Sequence, residues 1–104
     1  MRTFPKALSK FQDIVNERGA ELRALPFEEL AGRGEAPIEH VSVESRPATI
    51  GIIVQPLASG GIRVVVQGFM KAKLVGQNVA LDGFYKYPNG SVAPMPKEDF
   101  YEFD

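Results

Sequence analysis

The stretch ATIGIIVQPLASGGIRVVVQGFMKAKL, residues 48–74, constrains this chain more than any other. Two runs rich in β-branched residues flank a glycine-bearing turn, the pattern of a β-hairpin. A three-residue loop, Ser59-Gly60-Gly61, with one glycine left-handed, sets Ile52 opposite Gly68, Val54 opposite Val66 and Ala58 opposite Ile62. In that register Ile50, Ile52, Val54, Ile62, Val64, Val66 and Met70 share one face, the expected core. Gly51, Gln55, Arg63, Gln67, Phe69 and Lys71 fall on the reverse. A slip of one residue would carry the whole apolar set to solvent, so a buried face forbids it.

The following turn yields to the same reasoning. A two-residue loop of Gly76 and Gln77 sets Leu74 opposite Val79, Ala72 opposite Leu81 and Val66 opposite Tyr87 on the core side. On the reverse it pairs Phe69 with Phe84, Lys71 with Asp82 and Gln67 with Lys86. Aromatic and opposite-charge pairs of this kind contribute about 0.2 to 1 kcal/mol each.

Outside the hairpin, Phe4, Leu8, Phe11 and Val15 recur at helical spacing, which predicts a helix from about Phe4 to Arg18. Thr3 caps it, Pro5 suits its first turn and Gly19 is expected to stop it. The segment AELRA that follows fits either more helix or a short edge strand. ALPFEELAGRG predicts a second, short helix docked by Leu25, Phe27 and Leu30, with Glu28 and Glu29 in its first turn. IEHVSVES has period two, with Val41 and Val43 on one side and His40, Ser42 and Glu44 on the other. Pro47 then limits pairing there. YPNGSV forms a turn with Asn89-Gly90 at its tip and leads to a short edge strand that Pro94 and Pro96 end. PKEDFYEFD ends the chain as a last helical turn or two.

These elements define an α+β domain, an antiparallel meander of four or five strands with an N-terminal helix and short helical pieces packed on one face. The parts are a helical region over 1–34, a sheet over 36–94 and an acidic, aromatic C-terminal turn over 95–104. At 104 residues with no internal repeat, one domain is expected. Hydrophobic content of 44% with 24% charged residues and a net charge of −1 is ordinary for a folded soluble chain. The start has no apolar core of seven residues, so neither a secretory signal nor an anchor is expected, and a cytoplasmic location without membrane contact follows.

Cysteine is absent, which removes disulfides, thiolate metal sites and a cysteine nucleophile. His40, the sole histidine, lies about 13 Å along a strand from Glu44, too far for one metal ion. No serine has the setting of an acyl-transfer nucleophile. The SGG and AGRG stretches lack the spacing of a phosphate-binding loop or a dinucleotide fingerprint. No catalytic residue, metal or cofactor is therefore expected, and an enzyme is not.

Charge is distributed unevenly. The thirteen acidic residues leave the span from Ser45 to Leu81 empty, while Arg46, Arg63, Lys71 and Lys73 lie within it. In the registers above, Arg63, Gln67, Phe69, Lys71 and Lys73 join Phe84 and Lys86 in a basic field around two aromatic rings. Such a face has the chemistry for single-stranded nucleic acid. Ahead of that reading stand two others: Ile53, Val65, Phe69 and Phe84 lie beneath a helix or the C-terminal aromatics, with the lysines at the margin, or the apolar residues of this face meet their equivalents across a two-fold axis. The leading expectation is a small non-catalytic module that binds a partner protein or itself through this face, and nucleic-acid binding is the alternative.

Overall fold

A computed structural model describes residues 6–33, 37–71 and 76–103. It contains α1 (Lys6–Arg23), α2 (Phe27–Arg33), β1 (Glu39–Val43), β2 (Arg46–Pro56), β3 (Ile62–Lys71), β4 (Gln77–Lys86), β5 (Val92–Pro94) and α3 (Lys97–Phe103). The strands form one antiparallel sheet in the order β1-β2-β3-β4-β5, so the fold is an α+β meander. Thr3, Phe4 and Pro5, expected at the start of α1, lie outside the described residues.

The β2–β3 hairpin keeps the expected faces in a different register. Ile52 pairs with Val66, Val54 with Val64 and Ile50 with Gly68. The loop is Ala58-Ser59-Gly60, closed by the Leu57 amide donating to the Gly61 carbonyl, and Gly60 takes the left-handed conformation at φ 95°. The pairing has moved by two residues, which preserves parity and hence leaves each side chain on its expected face. Asn89-Gly90 sits in a loop of the same design, with the Tyr87 amide donating to the Ser91 carbonyl and Gly90 at φ 90°.

The β3–β4 register corrects the sequence reading. Lys71 pairs with Gln77, Val66 with Asp82 and Val64 with Phe84. Gln77 is already in the strand, paired with Lys71, so it does not form a two-residue loop with Gly76. An odd shift inverts β4 relative to β3. Ala80, Asp82, Phe84 and Lys86 therefore face the core, and Val79, Leu81, Gly83 and Tyr85 face the reverse. Ala72 and Leu74 lie outside the described residues.

The core forms where α1 crosses β3 and β4 while α2 packs on β2. Phe11, Val15, Val64, Val66, Met70, Ala80, Phe84 and Leu30 are fully buried in it, and Leu25 and Phe27 pack against it. Gly68 permits the close crossing, since a Cβ there would lie 2.5 Å from Phe11 Cζ. Gly19 plays the matching part on the helix. It does not stop α1 but is buried in its interior, where a Cβ would run into Asp82 Oδ2. AELRA is accordingly the last turns of α1. Arg18 clamps the helix to β1 through Glu39 at 2.9 and 2.7 Å.

β1 and β2 join through Glu44 and Ser45, both at positive φ, and Pro47 lies at the start of β2, before its pairing with β3 begins. Val41 and Val43 face the core as expected. The helices divide between the two faces of the sheet: α1 and α2 close one, and α3 lies on the other.

Gly68→Ala should cost about 1 to 3 kcal/mol, because Phe11 and Val15 must give way. Gly51→Ala in the neighbouring strand, where a Cβ would meet only Gln67 O at 3.9 Å, should be neutral or stabilising by up to about 1 kcal/mol. Urea unfolding of the two variants beside the wild type measures the difference.

Candidate binding face

The reverse face is built in rows across β2, β3 and β4. Gln55, Arg63 and Tyr85 form the first; then come Ile53, Val65 and Gly83; then Gly51, Gln67 and Leu81; then Thr49, Phe69 and Val79. Lys71 and Gln77 end the face. Its two halves differ.

The half at Arg63 is covered by α3. The Arg63 guanidinium donates to Asp99 at 3.2 Å and to Glu102 at 2.7 Å, donates to Gln55 Oε1, and stacks 4.9 Å from the centre of the Phe103 ring. Tyr85 donates its hydroxyl to Asp99, and Gln67 donates to the Phe103 carbonyl at 2.7 Å. Met95 is buried over Gly83, where a Cβ would meet its sulfur at 2.6 Å. α3 itself has no buried residue, so polar contacts and the Met95 anchor hold it.

The other half is uncovered. Ile38, Thr49, Ile53, Gln67 and Phe69 surround Gly51, whose missing side chain leaves a hollow of about 210 Å³. Ile38 is 62% exposed. Extending the β1–β2 register by one residue sets it opposite Gly51, so it walls the hollow from the side. Among the described residues this half carries Lys71, exposed, and no carboxylate.

The expected surface is thus divided. Arg63, Gln67, Phe69 and Lys71 share the reverse face of β3, as their parity requires. Phe84 and Lys86 do not join them, because β4 is inverted. Phe84 is fully buried under the Arg23 guanidinium, 4.7 Å from the ring centre. Lys86 is 5% exposed and donates to the Arg23 carbonyl at 2.8 Å, at the C-terminal end of α1 where a cation is favoured. Lys73 lies outside the described residues. The sequence reading missed Ile38, Thr49, Gly51 and Ile53 as one site; a glycine between isoleucines on the reverse side of β2 was the available signal.

His40 is exposed on β1 opposite Thr49, whereas Glu44 sits in the turn and pairs with Lys10 at 2.8 Å. Comparison with protein-family models, curated proteins and solved structures finds no match to this chain.

The α3 contacts titrate. The Tyr85 hydrogen bond holds the Asp99 carboxyl below its ordinary range against the opposing effect of burial, and Arg63 adds to the lowering. The same bond raises the Tyr85 hydroxyl. A carboxylate with a lowered pKa stabilises the docked helix above the unfolded value of about 3.9 and loses that contribution as pH falls through the folded value. A tyrosine with a raised pKa contributes below about pH 10 and loses its contribution as pH rises through the folded value. The protection factors of the Phe100–Phe103 amides, their exchange rates taken relative to the intrinsic rate at each pH, should be highest and nearly flat between these limits and lower beyond both. Tyr85→Phe should abolish the alkaline change.

Proposed function

We propose that the protein is a small non-catalytic interaction module whose open half-face receives an apolar side chain of a protein partner. The observation that carries this reading is the hollow over Gly51. Its volume exceeds the roughly 150 Å³ of a cavity that takes up benzene, so one large apolar or aromatic side chain fits it. Ile38, Ile53 and Phe69 supply apolar walls, while Thr49 and Gln67 supply polar groups at the margin. A buried anchor ringed by polar contacts is the arrangement in which a few residues carry most of an interface's affinity.

The opposite face favours the same reading by contrast. It is closed by α1 and α2, whose Phe11, Val15 and Leu30 are fully buried against it. For single-stranded nucleic acid the face would need free cations beside more than one ring. Here Arg63 is engaged by Asp99 and Glu102, and Phe84 and Lys86 lie on the other side of the sheet. Among the described residues of that field, Phe69 and Lys71 are what remain.

Gly51→Val builds into the hollow from a Cβ whose one neighbour, Gln67 O, is at an ordinary 3.9 Å, and should raise stability by about 0.5 to 1 kcal/mol. Phe69→Glu places a charge on its wall. Both should abolish capture of a partner that the wild-type chain retains from nuclease-treated host lysate. Capture unaffected by either substitution would refute the reading. Capture that requires nucleic acid and declines steeply with salt would establish the alternative.

A further inference from the structure

The reverse face has a raised half and a hollowed half side by side. α3 stands as a ridge over the Arg63 rows, and its C-terminal end abuts the hollow through the Gln67–Phe103 bond. Asp99, Phe100 and Phe103 are partly buried against the sheet, whereas Glu98 and Tyr101, one helical turn apart, are exposed. Tyr101 is 69% exposed, the most exposed large apolar side chain among the described residues. A tyrosine held outward on a short helix and an apolar hollow thus share one surface.

A surface with a ridge beside a hollow is complementary to itself. A half-turn about an axis in the plane between two facing sheets, parallel to the boundary between the halves, sets each ridge over the other copy's hollow. Charge does not oppose this arrangement: the outer side of the ridge presents Lys97 beside Glu98, and the open half carries Lys71 without a carboxylate among the described residues. Area supports it: at about 3.3 Å per residue and 4.8 Å per strand, the five-strand face, with α3 standing on one half of it, has a footprint of roughly 600 Å², at the lower end of the about 800 ± 200 Å² per partner of a specific interface.

We infer that the partner of this face is a second copy of the chain, in a two-fold dimer where Tyr101 of each copy enters the Gly51 hollow of the other. The inference rests on the interaction reading above and adds to it the identity of the anchor. Tyrosine suits the role, since its ring fills an apolar site and its hydroxyl can reach Thr49 or Gln67 at the margin.

The test is the solution mass of the full chain, measured by sedimentation equilibrium over a concentration series to the millimolar range. The wild type should pass from monomer to dimer. Tyr101→Ala and Gly51→Val, each at a site without buried contacts to lose, should weaken association roughly thirtyfold. Mixing the two variants is the decisive arm. The Tyr101→Ala copy keeps an intact hollow and the Gly51→Val copy keeps its tyrosine, so the mixture regains one of two contacts and associates more tightly than either variant alone.

A wild type that stays monomeric overturns the inference, as does a dimer that both variants leave unchanged or a mixture no tighter than its components. A monomer whose Gly51→Val variant still loses a different captured protein would overturn the dimer alone and keep the interaction reading. A chain that loses neither would end both.

Discussion

Arg23, the last residue of α1, holds the architecture in register. Its guanidinium grips Asp82 at 2.6 and 3.0 Å, reaches the Gly83 carbonyl and stacks on Phe84, while its own carbonyl accepts from Lys86. Three successive core-side residues of β4 are thereby tied to one helix end. A part-exposed ion pair contributes little net stability, but this one discriminates strongly between registers. If β4 were turned over, Asp82 and Lys86 would leave their partners and Phe84 would leave the core. Everything on the reverse face, including which residues flank α3, follows from that choice.

The two sides of the sheet are covered by different means. On one side α1 comes close because Gly19 and Gly68 remove side chains at the crossing, and Phe11 and Val15 fill the space with dense apolar contact. On the other, α3 is held by Arg63, Tyr85 and Gln67 with one apolar anchor at Met95. Dense apolar packing gives a permanent core, while a short helix held by charge leaves the remainder of its face free. The hollow over Gly51 occupies that remainder. The proposed binding surface would then sit beside a weakly buried element with a rigid core behind it, a common division between scaffold and site.

Much of this was legible in the residues, and the failures have specific causes. The helical stripe of Phe11 and Val15, the period-two pattern of β2 and β3 and the acids at the start of α3 each report their element locally. The β2–β3 loop was displaced by one residue, yet the faces survived because pairing moved by two. The reading of β4 failed for a different reason. Asp82 and Lys86 look like solvent residues, and Val79 and Leu81 like core residues, unless the end of α1 is known to stand over them. Gly19 misled in the same way: a glycine near a helix end fits a stop as well as a contact point, and only the approach of Asp82 distinguishes the two.

The sequence alone determined the class of fold, the order of the elements, the core parity of β2 and β3 and the placement of Arg63, Gln67, Phe69 and Lys71 on one side. These depend on alternation and periodicity, which act over a few residues and are written in the chain. Tertiary structure decided the parity of β4, the length of α1, the side on which α3 lies and the gathering of Ile38, Gly51 and Phe69 around one hollow. Those outcomes depend on partners distant in the chain. Two charged residues can face a core only when a helix end, folded from another part of the sequence, arrives to satisfy them.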